Sequence, residues 1–281
     1  MKIQTICVCG AGTMGSGIAQ VCASAGFTTI LYELNEAVLQ KAKTAIGAGL
    51  QKLVEKGKLS VEEMDQIAAR LTYTGDLEQC KADLVIEAII EKPEAKLSLF
   101  NALAAINSEA TILASNTSSL SISALAREVT HPERVAGLHF FNPAPLMRLV
   151  EVVKGSQTNE KVISALTAFT RQVGKTPVVC KDAPGFIVNR VARPFYIESL
   201  RIAEEGKVSF EALDRLLEAR KFKMGPFKLM DLIGNDINYA VSCSVYEQLN
   251  HPERLKPSYI QKEKVDKGEL GRKTKRGYYE Y

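Results

Sequence analysis

Residues 3 to 9 read Ile-Gln-Thr-Ile-Cys-Val-Cys, residues 10 to 15 read Gly-Ala-Gly-Thr-Met-Gly, and Ile18, Ala19, Val21, Cys22 and Ala25 follow. This is the pattern of a buried strand, a G-x-G-x-x-G turn and a helix. Gly10 permits the tight turn, Gly12 lets a pyrophosphate approach the backbone, and Gly15 lets the helix pack close on the strand. The amide groups and positive dipole end of that helix then face the phosphates, with Thr13 and Met14 in its first turn. A glycine turn can also be purely structural. Here a second element supports the dinucleotide reading. Thr28 to Tyr32 has the pattern of the next strand and leads into Glu33, 18 residues beyond Gly15. An acidic residue at about that distance accepts hydrogen bonds from the adenosine ribose. A carboxylate there repels a 2′-phosphate, and Leu34, Asn35 and Glu36 supply no arginine to bind one, so NAD is expected over NADP.

Working outward, strands alternate with helices as far as residue 180. Helices are expected from Glu36 to Gly57, Val61 to Arg70, Pro93 to Ile106 and Asn159 to Val173. Strands are expected at Leu71 to Thr74, Asp83 to Ala88, Thr111 to Ala114, Val135 to Phe140, Leu149 to Val153 and Thr176 to Cys180. That alternation predicts an α/β fold with a Rossmann-type, doubly wound, mostly parallel sheet over residues 1–183. Functional loops then lie at the carboxyl ends of strands, which adds Ala88 to Glu91, Ser115 to Ser118 and the loop after Phe140 to the glycine turn. Ala88 and Asn116 are candidate cofactor positions there.

Asp182-Ala183-Pro184-Gly185 marks the boundary to an all-α domain over 184–281. Its helices are expected at Phe186 to Glu205, Ser209 to Arg220, Lys228 to Leu249 and Pro257 to Lys267. Such a domain either closes over a substrate or pairs with a copy of itself, and both can hold. Phe222, Met224, Phe227, Leu229, Met230, Leu232 and Ile233 exceed what four helices obviously bury, so a homodimer through this domain is expected. His-Pro-Glu-Arg occurs at 131–134 and again at 251–254 without flanking similarity, and reads as coincidence.

Composition narrows the function classes. The 281 residues are 46% hydrophobic with a formal net charge of +4, enough for a large core and too mild a charge to indicate nucleic acid. No apolar run reaches the roughly 20 residues of a membrane span. The N-terminus lacks a signal-peptide pattern, so the cytoplasm is expected. The six cysteines, Cys7, Cys9, Cys22, Cys80, Cys180 and Cys243, form no C-x-x-C pair and read as buried reduced thiols. The three histidines have no metal-ligand spacing, so no metal is expected.

The densest chemistry lies between 115 and 151. His139 ends an apolar strand, a place where a histidine is often mere packing. Glu151 lies inside the apolar strand Leu149 to Val153, where a carboxylate is costly unless paired. Pairing of those strands lets Glu151 reach His139, set its tautomer and stabilise the imidazolium, which makes a usable general base.

Four stretches carry a family resemblance: residues 10–19, Ser-Asn-Thr-Ser-Ser at 115–119, His-Phe-Phe-Asn-Pro through Leu-Val-Glu at 139–151, and Pro-Gly-Phe-Ile-Val-Asn-Arg at 184–190. Together they resemble the short-chain L-3-hydroxyacyl-CoA dehydrogenases, especially the bacterial 3-hydroxybutyryl-CoA enzymes, over nearly the whole chain. The resemblance implies that His139 takes the proton from a 3-hydroxyl as hydride leaves C3, that Glu151 orients His139, and that Ser118 and Asn189 hydrogen-bond the reacting oxygen. It implies cofactor contacts for Asn142, Glu91, Lys96 and Lys273, and an acyl-CoA substrate whose CoA meets Lys52 and Lys56. Those two lysines are i and i+4, on one helix face. Ser118 read alone could equally cap the helix near Ser121, and the lysines could be solvated surface. The sequence departs from the family at Glu33, where aspartate is common, and at Lys275, where a glycine commonly follows the threonine. With no hydratase or thiolase sequence attached, a stand-alone enzyme is expected. Two other readings stay open: a dehydrogenase of a free hydroxy acid, gulonate-type, and a non-catalytic NAD-binding or structural protein.

Overall fold

The computed structural model describes residues 2–281. The chain divides into two compact units, Met1–Asp182 and Ala183–Tyr281. The first unit contains strands β1 (Thr5–Cys9), β2 (Thr28–Tyr32), β3 (Leu71–Thr74), β4 (Leu84–Glu87), β5 (Ile112–Ser115), β6 (Val135–Phe140), β7 (Leu149–Lys154) and β8 (Thr176–Lys181). Interleaved with them are helices α1 (Thr13–Ser24), α2 (Glu36–Glu55), α3 (Val61–Ala69), α4 (Pro93–Ile106), α5 (Ile122–Arg127) and α6 (Glu160–Gln172). All eight strands form one sheet in the order β3-β2-β1-β4-β5-β6-β7-β8. Strands β1 to β6 pair in parallel, β7 runs antiparallel to β6, and β8 follows β7 in parallel. The order reverses between β1 and β4, so a crevice opens at the carboxyl ends of those two strands.

The central strands β1, β4, β5 and β6 are buried along nearly their whole length, as expected where helices cover both faces, whereas the edge strand β8 leaves Val178 and Val179 exposed. Leu84, Val85 and Ile86 of β4 and Ile6, Cys7 and Val8 of β1 are fully buried. On one side α1 contributes Ile18, Ala19 and Cys22, and α2 contributes Leu39, Ala42, Ile46 and Leu50. Helix starts carry the expected caps. Asn35 accepts the amides of Ala37 and Val38, and Ser60 with Glu63 forms a reciprocal capping box. Cys7 and Cys9 do share one face of β1, with their sulfurs 3.7 Å apart. The expectation of six buried thiols is corrected at Cys180 and Cys243, which are only half-buried. A cavity of about 450 Å³, lined by Lys2, Lys81, Asp83 and Asn107 among others, opens at the amino ends of β1 and β5, away from the glycine turn. Its Asp83 and Asn107 already hydrogen-bond backbone groups.

The second unit holds α7 (Val188–Glu204), α8 (Phe210–Ala219), α9 (Pro226–Ile233), α10 (Asn235–Gln248) and α11 (Tyr259–Asp266). The single helix expected from Lys228 to Leu249 is two helices. Gly234, at φ +106°, ends α9, with its amide donating to the Met230 carbonyl. Of the apolar residues expected to exceed the unit's own core, Phe227 and Met230 belong to that core with Tyr196, Leu200, Leu213 and Tyr278, while Phe222 and Leu232 remain exposed. The repeated His-Pro-Glu-Arg makes a similar local start twice. His131 and His251 both take positive φ, 60° and 58°, and a short 3-10 turn follows each.

Two buried aspartates tie the C-terminal residues into this unit. Asp231 accepts the amides of Tyr278 and Tyr279, both at 3.0 Å, and the Asn235 side-chain amide at 2.8 Å. Asp214 accepts the Phe227 amide and the Tyr279 hydroxyl. The tail bends at Lys275, which takes φ +60°. Among the described residues no helix is long and apolar enough to cross a membrane.

Removing the Asp231 acceptor strands these donors in a dry interior. Asp231→Ala is expected to destabilise the helical unit by about 3 kcal/mol. Tyrosine fluorescence in urea reads this well, because seven of the nine tyrosines lie in residues 183–281 and tryptophan is absent.

Candidate active site

The glycine turn is shaped by close backbone contacts. A Cβ on Gly15 would lie 1.7 Å from the Gly10 carbonyl oxygen, and one on Gly10 would lie 2.7 Å from the Ala88 carbonyl oxygen. Gly10 also takes φ +100°. A Cβ on Gly12 would meet nothing within 4 Å, so that glycine faces open space. Gly12 is the N-cap of α1 and gives it no side-chain cap, and no acidic residue occupies the first turn. The helix therefore presents uncapped amides and a positive end. Thr13 is exposed and Met14 half-buried there. Glu33, just past β2, is anchored to this turn. Its Oε2 accepts the Ala11 amide at 3.0 Å and its Oε1 the Asn35 amide at 3.1 Å.

The antiparallel step in the sheet places His139 of β6 directly opposite Glu151 of β7. His139 Nδ1 and Glu151 Oε2 are 2.7 Å apart, and both residues are buried. The Phe141 ring stacks at a tilt on His139, with centroids 4.4 Å apart. Cross-strand residues on one sheet face are neighbours, so register alone makes this pair meet.

The loops after β4 and β5 are joined by a charged network. Glu87, the last residue of β4, is fully buried. Its Oε1 accepts Lys96 Nζ at 2.6 Å and the Ile89 amide at 2.8 Å, and its Oε2 accepts the Ser115 hydroxyl at 2.6 Å. Burial pushes the Glu87 carboxyl above the usual carboxylate range, against the opposing pull of Lys96. Lys96 Nζ also pairs with Glu91 Oε2 at 3.0 Å. Glu91 Oε1 in turn accepts the Thr117 hydroxyl and the Ser118 amide. Asn116 Oδ1 accepts the Phe140 amide at 2.8 Å, next to His139.

Each candidate residue thus has a place. Gly10, Gly12, Thr13, Met14, Gly15 and Glu33 gather around the first turn. Ala88, Glu91, Asn116 and Ser118 gather in the two adjoining loops, with Lys96 on the first turn of α4 reaching Glu91. Ser118 does not cap α5, because Ser121 does, accepting the Ala124 amide. Asn142 is exposed just beyond β6. Lys96 is 1% exposed, with its ammonium committed to Glu87 and Glu91. Lys52 and Lys56 are exposed at the end of α2, with no acidic partner among the described residues. In the helical unit, Asn189 lies in the first turn of α7, and Lys273 is paired with both oxygens of Asp236 at 2.6 Å. Sequence reasoning passed over Glu87, although it carries the same signal as Glu151: an acidic residue within an apolar strand. Among the described residues no group of three or more His, Cys, Asp or Glu could hold a metal ion.

A doubly wound sheet, an uncapped helix start behind a glycine turn and an acid past β2 define a dinucleotide-binding α/β protein. Residues 5–183 match the 3-hydroxyacyl-CoA dehydrogenase NAD binding domain, and residues 185–281 match the C-terminal domain of the same enzymes. The chain belongs to the 3-hydroxyacyl-CoA dehydrogenase family. It is 47% identical to the 3-hydroxyadipyl-CoA dehydrogenase of Escherichia coli over 100% of its own length, and spans 60% of that relative. It is 40% identical to a probable 3-hydroxybutyryl-CoA dehydrogenase of Deinococcus radiodurans, covering 98% of this chain and 99% of that one. The crystal structure of (S)-3-hydroxybutyryl-CoA dehydrogenase from Ralstonia eutropha superposes with a TM-score of 0.95 at 37% identity, covering 100% of this chain and 99% of that one.

The cofactor of the N-terminal family is NAD, and the residues here fit it. Gly12 leaves room for a pyrophosphate at the start of α1, and the Glu33 carboxylate has lone pairs remaining for ribose hydroxyls. Two substitutions separate space from packing. Gly12→Val is expected to cost about 1 kcal/mol of stability at most while weakening NADH at least tenfold. Gly15→Val is expected to destabilise the fold itself by roughly 3 kcal/mol or more. NADH fluorescence titration paired with urea denaturation checks both.

Proposed function

We propose that this chain is an NAD-dependent dehydrogenase of short-chain 3-hydroxyacyl-CoA thioesters, interconverting (S)-3-hydroxybutyryl-CoA and acetoacetyl-CoA. The observation that carries the reading is the 2.7 Å contact between His139 and Glu151 in a chain of this family. NAD, when bound, supplies the hydride acceptor for oxidation or, reduced, the donor for the reverse.

The chain's own groups handle the proton and the orientation. Glu151 accepts from Nδ1–H, so the neutral ring carries its basic lone pair on Nε2. Nε2 takes the proton of the 3-hydroxyl during oxidation and returns it during reduction. As the ring becomes imidazolium, the carboxylate beside it stabilises the positive charge without itself being protonated. Ser118 and Asn189 donate hydrogen bonds to the reacting oxygen in this reading, Asn189 entering through its Pro-Gly-Phe-Ile-Val-Asn-Arg motif. Asn142, Glu91 and Lys273 take cofactor positions by the same residue-by-residue match. Lys52 and Lys56, a turn apart and exposed, suit the phosphates of CoA and favour a thioester over a free hydroxy acid.

The name of the Escherichia coli relative supports a second reading, an acyl chain ending in another carboxylate. Rates with acetoacetyl-CoA, 3-oxoadipyl-CoA and free acetoacetate decide among the three. Acetoacetyl-CoA is expected to lead, and preference for free acetoacetate would remove the CoA reading. His139→Ala is expected to lower kcat by about a thousandfold, and Glu151→Gln by about a hundredfold, with NADH affinity little changed. Stopped-flow and steady-state NADH consumption measure both, and an active His139→Ala protein would defeat the mechanism.

The same proposal includes a homodimer through the helical unit. Leu216, Phe222, Leu232, Ile237 and Tyr259 leave it with large exposed apolar side chains. Sedimentation at micromolar concentration is expected to show a dimer, and a monomer there would count against it.

A further inference from the structure

Glu87 belongs to no glycine turn and to neither member of the His139–Glu151 pair, yet both loops flanking the dinucleotide crevice are referenced to it. Its side chain receives Lys96 from α4 and Ser115 from the end of β5, and its backbone carbonyl accepts the Asn116 amide at 2.8 Å. The next residue, Ala88, packs against the glycine turn, since its carbonyl oxygen would lie only 2.7 Å from a Cβ on Gly10. Through Lys96 the carboxylate governs Glu91, and through Glu91 it governs Thr117 and Ser118. Ser115 closes the circuit, its hydroxyl oxygen accepting the Thr117 amide at 3.2 Å.

The charges explain why an acid is needed at this position. Lys96 is 1% exposed and stands between two carboxylates, one fully buried and one whose side chain is 39% exposed. A buried ammonium needs a buried counter-charge. With Glu87 in place, the exposed Glu91 balances the rest and still offers an oxygen to the 117–118 loop. Without the charge on Glu87, Lys96 has Glu91 as its sole counter-ion. The carboxylate is then drawn toward Lys96 and away from Thr117 and Ser118. Both loops lie at the carboxyl ends of strands beside the topological switch point, where a dinucleotide binds.

We propose that Glu87 is a positioning residue for the NAD site, setting the 88–91 and 115–118 loops through Lys96 and Ser115. The inference rests on the NAD-dependent reading above. Glu87→Gln keeps the size and removes the charge. It is expected to raise the NADH dissociation constant about tenfold, measured by fluorescence titration without substrate, because a buried polar network loses a charged partner. The KM for NADH is expected to rise in step, with the affinity for free CoA, which meets Lys52 and Lys56 in that reading, within about twofold. An NADH dissociation constant raised less than about fivefold overturns the inference, as does a parallel loss of free-CoA affinity. Should Glu87→Gln fail to fold, Ser115→Ala decides: weakening of NADH by about threefold or more supports the proposal, and less overturns it. Wild-type protein that binds no NADH would remove the underlying reading, whereas normal wild-type binding beside an unaffected variant removes the Glu87 role alone.

Discussion

No side chain fits between Gly15 and the carbonyl of Gly10, where a Cβ would sit 1.7 Å from oxygen. That contact sets the distance between the end of β1 and the start of α1. It leaves the helix amides uncapped and directed at the open space over Gly12. The end of β4 closes on the same turn, since Gly10 also excludes a side chain against Ala88. Glu33 locks the far side by accepting the Ala11 amide. The uncapped start of α1, the Glu33 carboxylate and the loop after β4 are thus gathered by one close approach of backbone to backbone.

A second constraint acts at the other half of the sheet. Up to β6 the strands run parallel, and each needs a crossover to reach the next. Strand β7 reverses, so a short loop suffices, and the register sets His139 against Glu151. A buried carboxylate without a partner is costly, and a partner at 2.7 Å offsets that cost while orienting the ring. The same logic recurs at Glu87 with Lys96. Both carboxylates lie among apolar strand residues, and each holds a basic side chain within 2.7 Å.

Much of this was legible in the sequence because strands and amphipathic helices announce themselves by period. Strands β2, β3 and β6 and helix α4 fall where their residues indicate, and the others shift by a residue or two at their ends. The G-x-G-x-x-G turn and the acid at position 33 were readable for the same local reason. The helical unit was less legible. Gly234 splits what looked like one helix, because a glycine inside an apolar pattern can be tolerated or can end the helix, depending on its neighbours. The roles of Asp214 and Asp231 were hidden, since their partners at Phe227 and Tyr278 to Tyr281 lie at distances no period spans. Lys96 read as a helix residue of an ordinary kind, and its burial between Glu87 and Glu91 became visible only once β4 and α4 were packed.

By itself the sequence determined the doubly wound unit, the following helical unit and the residue types able to bind a dinucleotide and move a proton. Those are properties of local pattern: periodicity, glycine placement and the improbability of a charge in an apolar strand. The tertiary structure alone decided which charges meet. It set Glu151 on His139, Lys96 between two carboxylates and the C-terminal tyrosines on Asp231. The physical reason is that electrostatic and hydrogen-bond partners are chosen by distance in space over a few ångströms, whereas the sequence records only distance along the chain.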